Sequence, residues 1–537
     1  MPENTPSAQS PGSAVANPLF KPLVIAATLA ATTACAWAGL TAYTSRSVET
    51  TLNAEYDKLA ELPFVKVLAR RFDRGFTSST SEMRLAIGWP ERTLPGANGA
   101  RAGFEMTVRH RITNGPITGD GLAAALVETE LVVPEAAKAQ VAAIFDDRAP
   151  LSAITRVAFS GDSKTTIEMA PVRMDDSVID KLVRAAGAPG TREAQRAAAG
   201  WQPGTRLEWQ GLKAVYELSA DRERITYHGS FLPFSASNPD GGKFAMGEAT
   251  FEGKGKRVEG WLYDDANTMK MQSIQMLMPV PNGAPAVSIV MSDITGVSTT
   301  DVKDGFLGQK QKLRFGSMKI GEREIGRLDY DTSVDRLHVQ TLTDGVKAVL
   351  AKRPFDCIGL PEAQLADCFA PSLEVLKPAL FSLLEHGPRF AVDRLALVVP
   401  EGEARIDYAV NLGALKEADF DNPQQILEKI GVIANASFGE AVIGKFAAMA
   451  MAQASGGQTP PPEQLNAMIE QGVLPLVSQG FINRADGKLS TSFEMRSGAL
   501  MINGKPIDPG LTASAMGALA QSRSMDGKPA RRSNRRR

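Results

Sequence analysis

Residues that commonly carry chemistry are scarce in this chain. Four histidines, His110, His228, His338 and His386, serve 537 residues. They stand far apart, and no two have the spacing of metal ligands, so each reads as a surface or satisfied core histidine. There is no H-E-x-x-H pair, no Walker loop and no G-x-S-x-G elbow. Gly253-Lys254-Gly255 lacks the further glycine a phosphate loop needs and reads as a hairpin turn. Gly161-Asp162-Ser163 reads as a turn rather than as a hydrolase serine, because Asp beside Gly is what turn geometry prefers. Asp146-Asp147 and Asp175-Asp176 are sequence neighbours whose side chains diverge, so both pairs read as solvated. An enzyme is therefore the least supported class, and no cofactor or metal is implied.

Charge of one sign is also missing. Net charge is -1, so no general basic field argues for nucleic acid. The balance is uneven, because the last residues include Arg531, Arg532, Arg535, Arg536 and Arg537, which leaves the rest near -6. Such a tail reads as disordered and solvated. Contact with anionic lipid or an acidic partner is the alternative.

What is present is one long uncharged run, Leu23 to Tyr43. Its length matches the roughly 20 residues a helix needs to cross a membrane. It reads as an uncleaved anchor that places a large C-terminal region on the far side of a membrane. Two alternatives stay open: cleavage near Ala36-Trp37-Ala38, and lipid modification of Cys35. Basic residues flank the run too evenly, Lys21 before and Arg46 after, for the positive-inside rule to orient it.

Six regions follow from the pattern. Residues 1–21 form a disordered cytoplasmic tail and 22–43 the transmembrane anchor. Residues 44–63 form an amphipathic exit helix, with Val48, Leu52, Tyr56, Leu59 and Leu62 on one side, stopped by Pro63. Residues 64–355 are β-rich and 356–520 mix helix and strand. Residues 521–537 form a disordered basic tail. The fold class is α+β: a single N-terminal transmembrane helix, then a large, mainly antiparallel β-rich domain with helices concentrated in the C-terminal half.

Short runs of alternating polarity support the β reading. Examples are Met83, Leu85 and Ile87; Phe104, Met106 and Val108; and Val157 with Phe159 ahead of Gly161-Asp162. Lys213, Glu217, Arg224 and Glu259 alternate with apolar neighbours, so one sheet face should be wet. A helix is expected over 361–385, kinked or split at Pro378. Another starts at Asn422-Pro423 and carries Ile426, Leu427, Ile430 and Ile433 on one face. A third runs over 462–470, limited by Gly472 and Pro475. A last hairpin turns at Asn503-Gly504. Gly75 is expected at positive φ in a turn with Phe76 entering the core; an exposed contact patch at Arg74-Gly75-Phe76 is the alternative. Cys357 and Cys368, ten residues apart with no histidine nearby, read as a local disulfide in an exported domain, against two buried free thiols.

Several of these residues also carry a resemblance. The uncharged run, Glu49-Thr50 with Leu52, Arg74-Gly75-Phe76 with Ser78-Ser79, Gly115-Pro116, Phe159-Ser160-Gly161-Asp162-Ser163 and Ile502-Asn503-Gly504-Lys505 follow one another along nearly the whole chain. In that order they resemble the YdgA-like family of bacterial envelope proteins of unassigned function. At the first Gly-Pro site the family often has His-Gly-Pro, and here Asn114 replaces that histidine. The resemblance implies an inner-membrane anchor and a periplasmic domain, and supplies no reaction. The first functional expectation is therefore a non-enzymatic envelope protein that binds a protein partner through sheet edges or helical surface. The second is the handling of a lipid or other hydrophobic ligand on the sheet, suggested by the tether and by the apolar stretch 442–451. A hydrolase with an unrecognised site is the third.

Overall fold

The computed structural model describes residues 48–50, 52, 53, 57, 65–93, 101–119, 121–133, 135–185, 202–259, 262–280, 286–352, 362–454 and 461–507. The expected anchor, the two tails and Cys357 lie outside them. Among the described residues, no helix is long and apolar enough to cross a membrane. What they form is a large antiparallel β domain, with most of its helices in the later half of the chain.

One sheet holds 24 of the described strands. Its backbone is a serial meander in which each main strand pairs antiparallel with the one before it. The order runs from Val65–Asp73 through Ser78–Thr93, Arg101–Asn114, Ala125–Val132, Leu151–Val157 and Ser163–Met169. It continues through Leu212–Leu218, Arg224–Phe231, Ala249–Glu259, Leu262–Met278, Val287–Lys303, Phe306–Ile320 and Arg323–His338. Arg389–Val399, Gly402–Leu412, Ile430–Gly439 and Lys488–Arg496 complete it. The sheet crosses position 355 without a break, since Arg323–His338 pairs directly with Arg389–Val399. Gly253 and Gly255 lie inside the strand Ala249–Glu259, so the hairpin turn expected there is corrected. A Cβ on Gly253 would meet the Tyr227 ring at 2.4 Å, and the close approach of that ring is what calls for glycine.

A crease crosses the middle of the sheet. Pairing is interrupted at Ala170-Pro171, Gln210-Gly211, Leu232-Pro233 and Gly247-Glu248, and each interruption faces the next. The line continues through Gln272, Asp293 and Gly316-Ser317 to Arg327. Its residues explain it. Pro171 and Pro233 have no N–H for the ladder. Gly211 has φ +104 and Asp293 φ 52. Beyond the crease the strands resume as Val172–Met174, Arg206–Trp209, Phe234–Ser237 and Lys243–Met246.

The helices are α1 (Glu135–Phe145), α2 (Asp176–Ala185), α3 (Val339–Ala351), α4 (Glu362–Leu384), α5 (Pro423–Lys429), α6 (Glu440–Ala454) and α7 (Pro462–Ser478). Helix α4 runs unbroken through Pro371 and Pro378, so of the two outcomes expected at Pro378 the split does not occur. Two further expectations are corrected here. Helix α5 ends at Lys429, so Ile430 and Ile433 belong to a strand. Helix α7 continues through Gly472 and Pro475 to Ser478. The caps follow their chemistry: the Asn422 side chain accepts from Gln424 N, and Asp175 accepts from the backbones of Ser177 and Val178 to open α2. Asp175 is thus a cap rather than a solvated carboxylate.

The described residues of the exit region, 48–50, 52, 53 and 57, are helical. Val48 packs with Ile112, Ala125 and Val127, and Leu52 reaches Met83 and Leu85. Val48 and Leu52, the described members of the expected apolar stripe, therefore lie on the first strands of the sheet.

Candidate functional site

Successive side chains of a strand point to opposite faces, so antiparallel register carries one face from strand to strand. Followed residue by residue, one row runs Leu151, Met169, Leu212, Phe231, Ala249, Met271 and Ile294. It goes on through Phe315, Leu328, Leu397, Ala404, Phe438 and Leu489. Every position in this row is apolar, across thirteen strands. At ~4.8 Å per strand it is about 60 Å long. The parallel row two residues away is Ala153, Ile167, Ala214, Gly229, Phe251, Met269, Gly296, Leu313, Tyr330, Leu395, Ile406 and Ala436. It ends at Thr491.

The opposite face is built the other way. The row between these two reads Ser152, Glu168, Lys213, Ser230, Thr250, Lys270, Thr295, Arg314, Asp329, Ala396, Arg405, Ser437 and Ser490. Only Ala396 is without a polar side chain. This is the wet face expected from the alternation. It carries a depression of about 500 Å³ lined by Glu168, Lys213, His228, Glu252 and Lys270. Further along, Asp329 is buried and faces Arg327 at 3.2 Å, Arg394 at 3.4 Å and Arg314 at 3.7 Å. Three guanidiniums around one buried carboxylate make an ion-pair network.

The apolar face is only partly covered. Phe231, Met271, Phe315, Leu328 and Leu397 are half-buried, whereas Met169, Tyr330 and Ile406 are each 38% exposed. Tyr408 and Phe390 extend the exposed apolar surface beside them. Exposed apolar side chains thus stand along this face.

The motif residues read from the sequence fall into two groups. The first gathers at one end of the early strands. Asn114 is buried, and its Nδ2 lies 3.1 Å from the carbonyl oxygens of Gly75 and Phe76 and from Ser79 Oγ. It thereby ties Arg74-Gly75-Phe76 and Ser78-Ser79 to Gly115-Pro116, whose peptide bond is cis. Arg74 pairs with Glu49 of the exit helix. Gly75 is not at positive φ. It is glycine because a Cβ would lie 1.9 Å from the carbonyl oxygen of Ser78. Phe76 is 50% exposed rather than in the core. Gly161 has φ +92 in the turn beside them. Asp162 accepts from Ser160 Oγ and from Ala220 N. Those two bonds hold the carboxyl below the usual carboxylate range. Ser163 is buried and pairs with Val157.

The second group lies at the far edge. Asn503 (φ 50) and Gly504 (φ 73) form the turn into Lys505-Pro506. Asn503 Oδ1 accepts from Ser492 N, and Nδ2 donates to Gly480 O below α7. The hairpin before it turns at Ser497-Gly498. The full width of the sheet separates the two groups. Cys368, on α4, is disulfide-bonded, and Cys357 lies outside the described residues.

The histidines come closer together than their sequence positions suggest. The rings of His338 and His386 stack at 4.2 Å, both beside Phe306. His338 Nδ1 lies 2.8 Å from Thr341 Oγ1 and caps α3. His110 is buried, 2.8 Å from Thr129 Oγ1, and burial pushes its pKa down to about 4. Among the described residues, no three His, Cys, Asp or Glu side chains converge as metal ligands.

The two apolar rows escaped the sequence reading, as did the exposed Ile117 and Leu122. Alternation within each strand was a usable signal, but the register that aligns one strand with the next is set by pairing and bulges. No curated protein and no solved structure matches the chain. A family model described as a bacterial protein of unknown function, DUF945, matches residues 20–510, and the chain belongs to that family.

Proposed function

We propose that this chain is a membrane-tethered protein of the bacterial envelope that holds the acyl chains of lipids along the apolar face of its sheet. The observation that carries the reading is the row of thirteen directly paired apolar residues from Leu151 to Leu489. Acyl chains need no directional partner, only continuous apolar surface, and each Å² removed from water is worth roughly 25 cal/mol. One acyl chain is about half the ~30 Å hydrocarbon thickness, so a 60 Å row accommodates several end to end. The tether comes from the uncharged run at 23–43. The exit helix that follows it rests on Ile112, Ala125 and Val127, in the strands before the one where the apolar row begins.

Binding of a protein partner through a sheet edge has less support. The open first strand, Val65–Asp73, carries Lys66, Arg70 and Arg71, and charges of this kind discourage strand addition.

Photocrosslinking of the full chain in cells tests the reading. p-Benzoylphenylalanine at positions 169, 330 and 406 should yield lipid adducts by mass spectrometry. The same group at 168, 314 and 405, on the polar face, should not. Protein adducts alone at the first three positions, or lipid adducts from both faces alike, would sink it.

A further inference from the structure

Four large apolar side chains stand out from turns at one end of the early strands. Phe76 is 50% exposed, Ile117 66%, Leu122 68% and Phe159 52%. Ile117 and Leu122 pair at the base of a small hairpin, Ile117–Thr118 with Gly121–Leu122. Phe76 sits in the turn between the first two strands, and Phe159 in the turn between Leu151–Val157 and Ser163–Met169. The turns are tied to one another. Asn114 holds the 75–79 turn, and Arg156 Nη2 donates to Leu122 O at 2.7 Å. Asp162 fixes the third turn through Ala220 N. Four apolar residues on braced turns make a preformed apolar tip, not a collapsed core.

The chain itself says what lies against this tip. Val48 is buried on Ile112, Ala125 and Val127, the residues that lead into and out of the Ile117–Leu122 hairpin. The uncharged run ends at Tyr43, five residues earlier. Five residues span at most about 18 Å. A bilayer crossed by residues 23–43 is therefore held within that reach of Val48, which packs at the strand ends that carry the tip.

We infer that the turns bearing Phe76, Ile117, Leu122 and Phe159 seat in the surface of the bilayer that the chain crosses. The inference rests on the tether in the proposed function. The occupant is the bilayer, because the same short connection that brings it near the tip keeps it there. Aromatic and aliphatic side chains of this kind enter the headgroup and acyl boundary by about 5–10 Å. Arg74, bound to Glu49, and Arg156, bound to the Leu122 carbonyl, stand behind the tip at headgroup level.

Tryptophan emission of the full chain in phosphatidylethanolamine–phosphatidylglycerol vesicles tests this. I117W and L122W place the probe at exposed positions that the fold tolerates. Brominated phosphatidylcholine should quench the added emission roughly twofold, as insertion to that depth requires. K505W at the far edge should remain unquenched. Trp37, within the uncharged run, reports the tether separately, through quenching in the parent that is lost in W37F. Quenching at Trp37 without quenching at 117 and 122 overturns the tip and leaves the tether standing. Quenching at neither overturns both, and quenching at the tip alone supports the tip while rejecting the tether. A blue shift at 117 that grows with protein-to-lipid ratio without bromine quenching indicates a second copy on the tip, and also overturns the inference.

Discussion

At the scale of single residues, His110 has the clearest measurable consequence. Burial favours its neutral form, so its pKa falls from about 6.5 in the unfolded chain to about 4 in the fold. Between those values the unfolded state binds more protons, so stability rises with pH across the window and falls on acidification. The full loss, reached below pH 4, is about 3 kcal/mol. His110→Gln keeps a hydrogen-bonding side chain beside Thr129 and removes the titration. Urea denaturation at pH 7 and pH 4.5 should show a smaller drop in stability for the variant than for the parent. Equal drops would assign the acid sensitivity to carboxylates instead.

Other residues show where a sequence reading stops. Gly75 is legible as a turn glycine, but its cause is a carbonyl oxygen from a residue three places on, not its own φ. Phe76 looks like core because phenylalanine usually is, yet it stands 50% exposed on a turn that Asn114 holds by its backbone carbonyls. Asn114 stands beside Gly115-Pro116, and its amide nitrogen makes three contacts with the opposing turn, the work of a structural donor.

At the scale of elements, alternation located strands well and helix ends poorly. Strands are fixed by a two-residue period that any short window contains. The helix ends are decided elsewhere. Pro378 removes a backbone donor and should cost ~3 kcal/mol inside a helix. Even so α4 continues, packed along α3, where a Cβ on Gly345 would come within 2.9 Å of Ala379 Cβ. Tertiary packing of this kind is invisible to a local rule. The crease was equally hidden, because its glycines and prolines look like turns until pairing lines them up. Gly326 makes the point testable. It has φ +138, and a Cβ there would lie 2.4 Å from the carbonyl oxygen of Val398. Gly326→Ala should destabilise this part of the sheet by ~2–4 kcal/mol. Hydrogen exchange of amides in 323–338 and 389–399 would report it locally. Gly321→Ala, at φ 62 with open space around it, should cost about 1 kcal/mol. Similar effects at both positions would mean that close packing at the crease contributes nothing.

At the scale of the whole molecule, the serial meander matters more than any one strand. Neighbours in sequence pair in space, so a local two-residue pattern repeated along the chain adds up to one face. That face carries its rows from the strand Leu151–Val157 across to Lys488–Arg496. If lipid enters from the membrane side, the face is a track with a direction, and an obstacle should act only downstream. Tyr330→Asp places a charge about two-thirds along the row, where desolvating a carboxylate is costly. Crosslinked lipid at position 406 should fall severalfold in this variant, while adducts at 169 persist. Met169→Asp, near the start, should reduce adducts at both 330 and 406. The exposure of both side chains makes each change mild for folding. Losses confined to the substituted neighbourhood in both variants would instead describe separate local contacts, and the idea of a continuous path for lipid would be abandoned.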